Sequence, residues 1–185
     1  MGEDGDKMNT FVETGPDMSA ADISRFEHCN LLLEKILETV LRTDDPDEGL
    51  NSLLAQLGQQ VKGDRSYIFE VGRDNLLSNT WEWCAEGIAP QKSFLQEINI
   101  SDIKSWFDLF NQNETVYIRD VEEIRDSDPI AYTILKPQQI HSLLAGRICQ
   151  GNRVVGFIGV DNPAPEFGSI LPPRIDPFVH VLILA

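Results

Sequence analysis

The chain has few cysteines and few basic residues, and both shortages narrow what it can be. Cys29, Cys84 and Cys149 stand far apart with no CxxC pair, which argues against a disulfide framework or a zinc knuckle and favours a reducing compartment. Lysine and arginine number 15 against 30 acidic residues, giving a net charge of −15. Such a charge repels phosphate backbones and anionic lipids, so we expect no nucleic-acid binding and no direct membrane contact.

Long apolar runs and motifs of catalysis are also missing. No run approaches the roughly 20 residues that cross a bilayer, and Met1–Met18 is acidic and polar, unlike a signal peptide. We therefore predict a cytoplasmic location. A longer parent protein anchored in the membrane would be compatible with this location, if it holds the domain on its cytoplasmic side. The sequence has no Gly-rich phosphate loop, nucleophile elbow or HExxH motif, so this domain is not predicted to be an enzyme.

The length suits one domain with a substantial core, preceded by a short tail. Residues 1–18 are rich in glycine and acidic residues and are predicted to be a disordered lead-in, which leaves residues 19–185 for the domain. The apolar residues of Ile23–Leu41 then follow helical spacing. One stripe of this helix falls on heptad a and d positions, with a polar residue at one a position: Ile23, Phe26, Asn30, Leu33, Leu37 and Val40. Because an asparagine there fixes the register of short parallel coiled coils, the helix either joins two copies as a homodimer or packs within its own domain.

The remaining pattern predicts an α+β domain with mostly antiparallel strands. A second helix begins after the cap Asp45, with Pro46 at its first position, and ends at Gly63, which suits a left-handed stop. Strands and short helices follow: strands at 66–71, 76–84, 115–118, 140–149 and 153–160, and short helices from Ser101 and from Asp128 to Leu135. A last helix carries Ile175 and Phe178 and stops in mid-pattern at Ala185, so we expect it to continue into an output domain.

Two stretches, NTWEWCAEGIAPQ at 79–91 and GFIGVDNP at 156–163, add a family resemblance to this order of elements. Together they resemble the GAF domain family over roughly residues 20–185, especially the GAF domains that precede GGDEF-type diguanylate cyclase or histidine kinase modules in bacterial signalling proteins. The chain departs from the pattern at Arg147, where many members have a proline.

The resemblance implies a central antiparallel sheet with the terminal helices bundled on one face and a small-molecule pocket on the other, under residues 88–140. It implies a sensory domain that controls its output domain through a dimeric helical bundle including the C-terminal helix. The alternative is a dimerisation and spacer module whose pocket is filled by its own side chains. The ligand stays unknown: the NK-x-F motif of cyclic-nucleotide binders is absent, and His141 has no adjacent cysteine for a covalent bilin, although it leaves a haem open.

Six residues are candidates for ligand binding. Trp81 and Trp83 alternate with Glu82 and Cys84 on one strand, so both indoles share a face that either lines the pocket or packs in the core. The polar candidates are Asp120, Tyr132, Gln139 and His141. Tyr132 and Gln139 bracket the short helix that closes the pocket in the family, Asp120 ends the strand leading into that helix, and His141 begins a strand next to an apolar run. For Asp120 a turn or cap acceptor is an equal alternative, and for His141 a structural hydrogen bond is the main one.

One enzymatic alternative comes from the same resemblance. Free methionine sulfoxide reductases share the fold and use clustered cysteines near the pocket. For this chain, such a reductase activity would require Cys84 and Cys149 to approach one another across the sheet.

Overall fold

The structure, a computed structural model, describes residues 45–112 and 115–168. Six strands form one sheet in the order β3-β2-β1-β6-β5-β4, and every neighbouring pair is antiparallel. The strands are β1 (Arg65–Val71), β2 (Leu76–Cys84), β3 (Ile98–Asn99), β4 (Val116–Ile118), β5 (Leu143–Gln150) and β6 (Arg153–Asp161). The α-helices are α1 (Pro46–Gln60), α2 (Lys104–Asn111), α3 (Pro129–Leu135) and α4 (Pro165–Gly168), and 3-10 turns cover Ile100–Ile103, Val121–Ile124 and Lys136–Gln138.

Helix α1 begins as predicted and ends differently. The side chain of Asp45 accepts a hydrogen bond from the N–H of Asp47 at 3.0 Å, as an N-cap does. The left-handed residue after the helix is Lys62, with φ 52°, so the prediction that Gly63 supplies this conformation is wrong. Gly63 is needed for another reason, because a Cβ there would come within 2.5 Å of Cγ1 of Val160.

Both predicted hairpins are confirmed. The β1–β2 turn uses Asn75 in a left-handed conformation, and the β5–β6 turn uses Gly151, also with positive φ. Strand β5 begins at Leu143, three residues later than predicted, and the two-residue β3 was not predicted.

The two faces of the sheet carry different helices. Helix α1 packs on one face, where Leu53, Leu54 and Leu57 meet Ile68 and Ile158. Helices α2 and α3 cover the other face, where a larger apolar cluster includes several aromatic rings: Tyr67, Phe69, Trp106, Phe107, Phe110 and Phe157. This arrangement confirms the α+β fold class. The predicted lead-in, first helix and last helix, and with them the proposed dimer seam, lie outside the described residues.

A bulge in β2 decides which of its residues face each side. Ile68 pairs with Trp81 and the next residue, Phe69, pairs with Asn79, so Thr80 is an extra residue on β2. One extra residue inverts the alternation of a strand. As a result, Leu77 and Glu82 both line the α2/α3 side, while Trp81 and Trp83 turn towards α1.

Candidate functional site

A small cavity of about 50 Å³ lies between the sheet and helices α2 and α3. Its walls are mainly apolar and come from both layers and from the segment that follows β2: Phe69, Leu77, Leu95, Ile98, Ile103, Trp106, Ala131, Ile134, Leu135, Ile140 and Phe157. A water molecule needs roughly 10–15 Å³ of such space. The cavity therefore accommodates about four water molecules, or a molecule of similar size.

A buried ion pair forms the polar end of the cavity. Nε of Arg65 lies 2.8 Å from Oδ2 of Asp161, and the side chains are 4% and 2% exposed. The hydroxyl of Tyr67 donates to the other oxygen, Oδ1 of Asp161, at 2.9 Å. Sheet pairing brings the groups together, because Arg65 and Asp161 are register partners on β1 and β6 and Tyr67 follows Arg65 on the same face of β1.

The rest of the Arg65 guanidinium connects the two walls of the cavity. Nη1 donates to the carbonyl of Ala89 at 3.2 Å, in the segment after β2. Nη2 donates to the carbonyl of Gln138 at 3.0 Å, in the 3-10 turn after α3. One buried side chain thus holds a strand, a loop and a helical turn in place around the cavity.

Glu82 holds the loop wall from the other side. Its Oε2 accepts hydrogen bonds from the backbone N–H groups of Gln91 at 2.9 Å and Lys92 at 3.0 Å. Nδ2 of Asn79 lies 3.3 Å from Oε1 of the same carboxylate. Oδ1 of Asn79 is buried and has no hydrogen-bond partner among the described residues. It is therefore an unused hydrogen-bond acceptor beside Glu82.

Burial dominates the acid–base properties of these groups. It raises the pKa of Asp161 to about 6, although the charge of Arg65 and its hydrogen bond act in the opposite direction. Burial and the neighbouring Asp161 raise the pKa of Tyr67 well above its usual value. The Tyr67 hydroxyl therefore remains protonated at neutral pH and keeps its hydrogen bond to Asp161.

The two predicted tryptophans lie on the face opposite the cavity. Trp83 and Trp81 are half-buried against the α1 core cluster, and a Cβ on Gly58 of α1 would overlap the Trp83 ring. Trp81 borders a separate groove of about 380 Å³ beside the start of α1. The core-packing alternative thus describes their position, because the bulge turns them away from the cavity.

None of the four polar candidates is among the residues that line the cavity. Asp120 is exposed and caps a 3-10 turn by accepting from the N–H of Glu122 at 2.9 Å, which is the cap role considered for it. The hydroxyl of Tyr132 accepts from Nη2 of Arg125 at 3.0 Å. His141 and Gln139 are exposed, and Gln139 has a left-handed φ of 61° at the end of a 3-10 turn.

Sequence reasoning missed five polar residues that line the cavity: Arg65, Tyr67, Glu82, Gln138 and Asp161. Strict alternation on β1 was a usable signal, since it places Arg65 and Tyr67 on one face. Asp161 lies within the family-like stretch at 156–163. Gln138 is one residue from the predicted Gln139, and the bulge hides Glu82.

The cysteine pair suggested by the enzymatic alternative is wrong. Cys84 pairs with Arg65 at one end of the sheet, whereas Cys149 pairs with Val154 near the other end, two intervening strands away. Strand spacing and rise place them roughly 20 Å or more apart, far beyond disulfide range. Burial, with Glu82 nearby, also raises the pKa of Cys84 to about 11, so its thiol is a poor nucleophile at neutral pH.

Residues 45–112 and 115–168 hold neither a metal-binding cluster nor a candidate membrane span. Among them, no three His, Cys, Asp or Glu side chains come together as a metal site would require. None of the helices in this part of the chain has the length and hydropathy to cross a bilayer.

Solved structures with the same fold include photoreceptor domains. A phycocyanobilin-bound GAF domain from a cyanobacterial phytochrome matches 84% of this chain and 91% of its own, with 15% identity and a TM-score of 0.66. The chromophore-binding domain of Stigmatella aurantiaca phytochrome P1 matches 91% of this chain and 63% of its own, with 14% identity and a TM-score of 0.66. Identities this low establish the fold alone.

A curated relative is similar over a shorter stretch. The methanogenesis regulatory histidine kinase FilI of Methanothrix harundinacea (strain 6Ac) is 32% identical over 124 residues, which is 64% of this chain and 14% of the kinase. The chain therefore corresponds to a small part of that protein. The family model described as GAF domain matches residues 45–172, most of the chain and all of the sheet. With this match and the fold in agreement, the chain belongs to the GAF domain family.

Proposed function

We propose that this GAF domain is the sensory part of a signal-transduction protein and that it binds a small molecule in the cavity between the sheet and helices α2 and α3. The observation that carries this proposal is the position of Arg65. It lines the cavity and holds both walls through the carbonyls of Ala89 and Gln138. A molecule that enters the cavity must either break and remake these hydrogen bonds or leave them intact. Ligand binding is therefore coupled to the positions of the two cavity walls.

The same strand offers a route to the opposite face. Arg65 faces the cavity, while the next residue, Ser66, donates its hydroxyl hydrogen to the carbonyl of Leu54 on α1 at 2.6 Å. A displacement of β1 is thereby passed to α1, which follows the predicted helix at 23–41. A ligand changes this equilibrium only if it binds the two arrangements with different affinity.

The proposed output is a histidine kinase or a diguanylate cyclase, controlled through a dimeric bundle of the predicted terminal helices. The curated relative is a histidine kinase, which favours the kinase. In the proposed dimer, Asn30 lies at the centre of the heptad seam. The bacterial origin and the cytoplasmic location remain predictions from the sequence.

A bilin does not fit this cavity. Two of the similar structures hold bound biliverdin or phycocyanobilin, yet a tetrapyrrole is many times larger than the four water molecules that about 50 Å³ accommodates. Cys84 and Cys149, the described cysteines, are not among the lining residues, and His141 is exposed outside the lining. The same position of His141 gives no support to a haem in the cavity.

The second candidate function is a dimerisation and spacer module without a ligand. The small cavity volume favours it, because ligand pockets are usually about 300–1,000 Å³. Truncation of Trp83 does not separate the two functions, since its ring packs against Gly58 of α1. A variant that fills the cavity itself is required.

Ala131→Leu is such a variant. Ala131 is 1% exposed on α3 and lines the cavity, so three added carbon atoms fill space that a ligand would need. Melting temperatures of the 185-residue chain are measured against small molecules of four to six heavy atoms that differ in charge. We expect at least one to stabilise the wild type, by about 2.7 kcal/mol at 100 times its Kd, and to lose this effect in Ala131→Leu.

Thr133→Leu is the matched control, because Thr133 is exposed on the same helix outside the lining. It should respond to the ligand as the wild type does. If no molecule in the panel stabilises the wild type, the spacer function replaces the sensory one. If Ala131→Leu responds as fully as Thr133→Leu, the ligand binds elsewhere and this cavity is not the sensory site.

A further inference from the structure

The charges around the cavity do not balance. Three of the lining residues are charged, namely Arg65, Glu82 and Asp161. Arg65 and Asp161 neutralise each other as a buried pair at 2.8 Å, which leaves the carboxylate of Glu82 in excess. Lys92 does not neutralise the Glu82 charge inside the cavity. Its ammonium lies over the Trp81 ring, 5.6 Å from the ring centroid, and Lys92 is not a lining residue.

Hydrogen-bond acceptors are also in excess at this end. Each of the three guanidinium nitrogens of Arg65 already donates, to Asp161, Ala89 and Gln138. The Tyr67 hydroxyl gives its hydrogen to Asp161. A carboxylate accepts about four hydrogen bonds. Among the described residues, Asp161 accepts only these two and so has room for about two more, whereas Glu82 already accepts four, from Asn79, Lys92 and twice from Gln91, and contributes its charge. A ligand head that donates several hydrogen bonds is therefore better matched here than one that accepts them.

The opposite walls suit a short apolar body and tolerate a positive charge. Phe69 and Phe157 stack with ring centroids 4.8 Å apart, and Trp106 meets Phe157 edge-on at 5.9 Å. Aromatic faces attract cations as well as alkyl groups. The volume of about 50 Å³ limits the guest to roughly four to six heavy atoms. The net charge of −15 adds a field that concentrates cations near the domain.

We propose that the cavity selects a small aliphatic amine in its ammonium form, with the ammonium at the Glu82 end and the alkyl chain among Phe69, Trp106 and Phe157. This inference rests on the proposed sensory function and names the chemical class of its ligand. Primary amines are protonated at neutral pH, as the lysine side chain is. A carboxylate ligand of the same size would be repelled by the carboxylates of Glu82 and Asp161. It would find each guanidinium nitrogen of Arg65 already donating a hydrogen bond.

Three probes of nearly equal size test the class: n-butylammonium, 1-butanol and butyrate. Their affinities for the 185-residue chain are measured by calorimetry at pH 7.5 and constant ionic strength. We expect n-butylammonium to bind at least tenfold more tightly than 1-butanol, and butyrate to bind most weakly. Glu82→Gln, which keeps the shape and removes the charge, should weaken n-butylammonium binding about tenfold and leave 1-butanol within a factor of two.

Glu70→Gln is the matched control, because it removes the same charge from an exposed residue of β1 outside the cavity. It should bind all three probes as the wild type does. If Glu82→Gln fails to fold, judged by its circular dichroism spectrum, the order of the three probes on the wild type decides alone.

The outcomes separate the ligand class from the sensory function. Tighter binding of 1-butanol or butyrate than of n-butylammonium, lost in Ala131→Leu, overturns the amine and leaves the sensory cavity intact. Equal binding of n-butylammonium to wild type and a folded Glu82→Gln also overturns the amine. If no probe of any charge binds, the amine is overturned, and the broader panel applied to Ala131→Leu then decides whether the sensory function fails with it.

Discussion

Asp161 is the residue at which burial and ion pairing oppose each other most directly. Its carboxylate is almost fully removed from water, yet Arg65 and Tyr67 both bind it. Because burial prevails, its pKa rises from 3.8 to about 6. Between these two values the folded state holds the proton more tightly than the unfolded chain does, so protonation favours folding.

The contribution of Asp161 to stability should therefore fall as the pH rises. It is fully present below pH 3.8 and is lost as the pH passes through about 6. The loss is on the order of 3 kcal/mol at most, from 1.36 kcal/mol per unit of pKa. Urea unfolding of wild type and Asp161→Asn at pH 4.5, 5.5 and 7 measures it. The stability advantage of wild type over Asp161→Asn should grow as the pH falls from 7 to 4.5, because only the wild type gains stability by binding the proton.

Asp161→Asn will be destabilised at every pH, because it leaves the charge of Arg65 unpaired, and so only the slopes are compared. Asp126→Asn, at an exposed residue, controls for general effects of removing a carboxylate. Parallel pH curves for wild type and Asp161→Asn would contradict the raised pKa.

The sequence predicted a pocket on one face of the sheet, but none of the six candidate residues lines the cavity. Arg65 and Tyr67 share a face by simple alternation, but their partner Asp161 is 96 residues from Arg65. That pairing depends on the register between β1 and β6, which no local pattern specifies. Asp120 illustrates the opposite error, in which a predicted ligand residue has a structural role. An acidic residue before a short helical turn caps the turn as readily as it binds a ligand, and the sequence does not distinguish the two.

Elements were predicted more reliably than residues, because caps, turns and periodicity act locally. Asp45 and Pro46 predicted the start of α1, and strand β2 has the predicted bounds of 76–84. The bulge at Thr80 was not predictable from the sequence, because Leu77, Trp81 and Trp83 fall at alternate positions that would share one face of a regular strand. Its effect is large, because it exchanges the faces of Trp81, Glu82 and Trp83.

Packing of Trp83 against α1 leads to a prediction at the scale of helix and strand. Gly58 is buried on α1, and a Cβ there would overlap the indole. In an exposed helix Gly→Ala is stabilising by about 1 kcal/mol, but overpacking costs about 1–3 kcal/mol. We expect Gly58→Ala to be destabilised in urea unfolding, by up to about 2 kcal/mol.

A double-mutant cycle identifies the cause. Gly58→Ala should be less harmful when Trp83 is replaced by leucine, because the overlapping ring is then gone. Gln59→Ala, at the exposed neighbour on α1, should change stability by less than about 0.5 kcal/mol. Equal or greater stability of Gly58→Ala in the wild-type background would show that the helix and strand are not held this closely.

For the whole molecule, the acidic charge acts against self-association. Two copies that each carry −15 repel one another, while the proposed seam at 23–40 spans only about three heptads of apolar contact. Salt reduces the reach of the repulsion, since the Debye length falls from about 30 Å at 0.01 M to about 3 Å at 1 M. It leaves apolar contacts intact or strengthens them.

Dimerisation through the seam should therefore strengthen with salt. Sedimentation velocity at 0.02 M and 0.5 M NaCl measures it, and we expect the dimer constant to rise at least tenfold at the higher salt. Asn30→Ile should tighten association and broaden the set of oligomers, because the polar a position no longer fixes register. Asn51→Ile, at an exposed residue of α1, should leave the distribution unchanged. Weaker association at high salt would assign the contact to surface ion pairs, and a monomer in all conditions would remove the dimer from the signalling scheme.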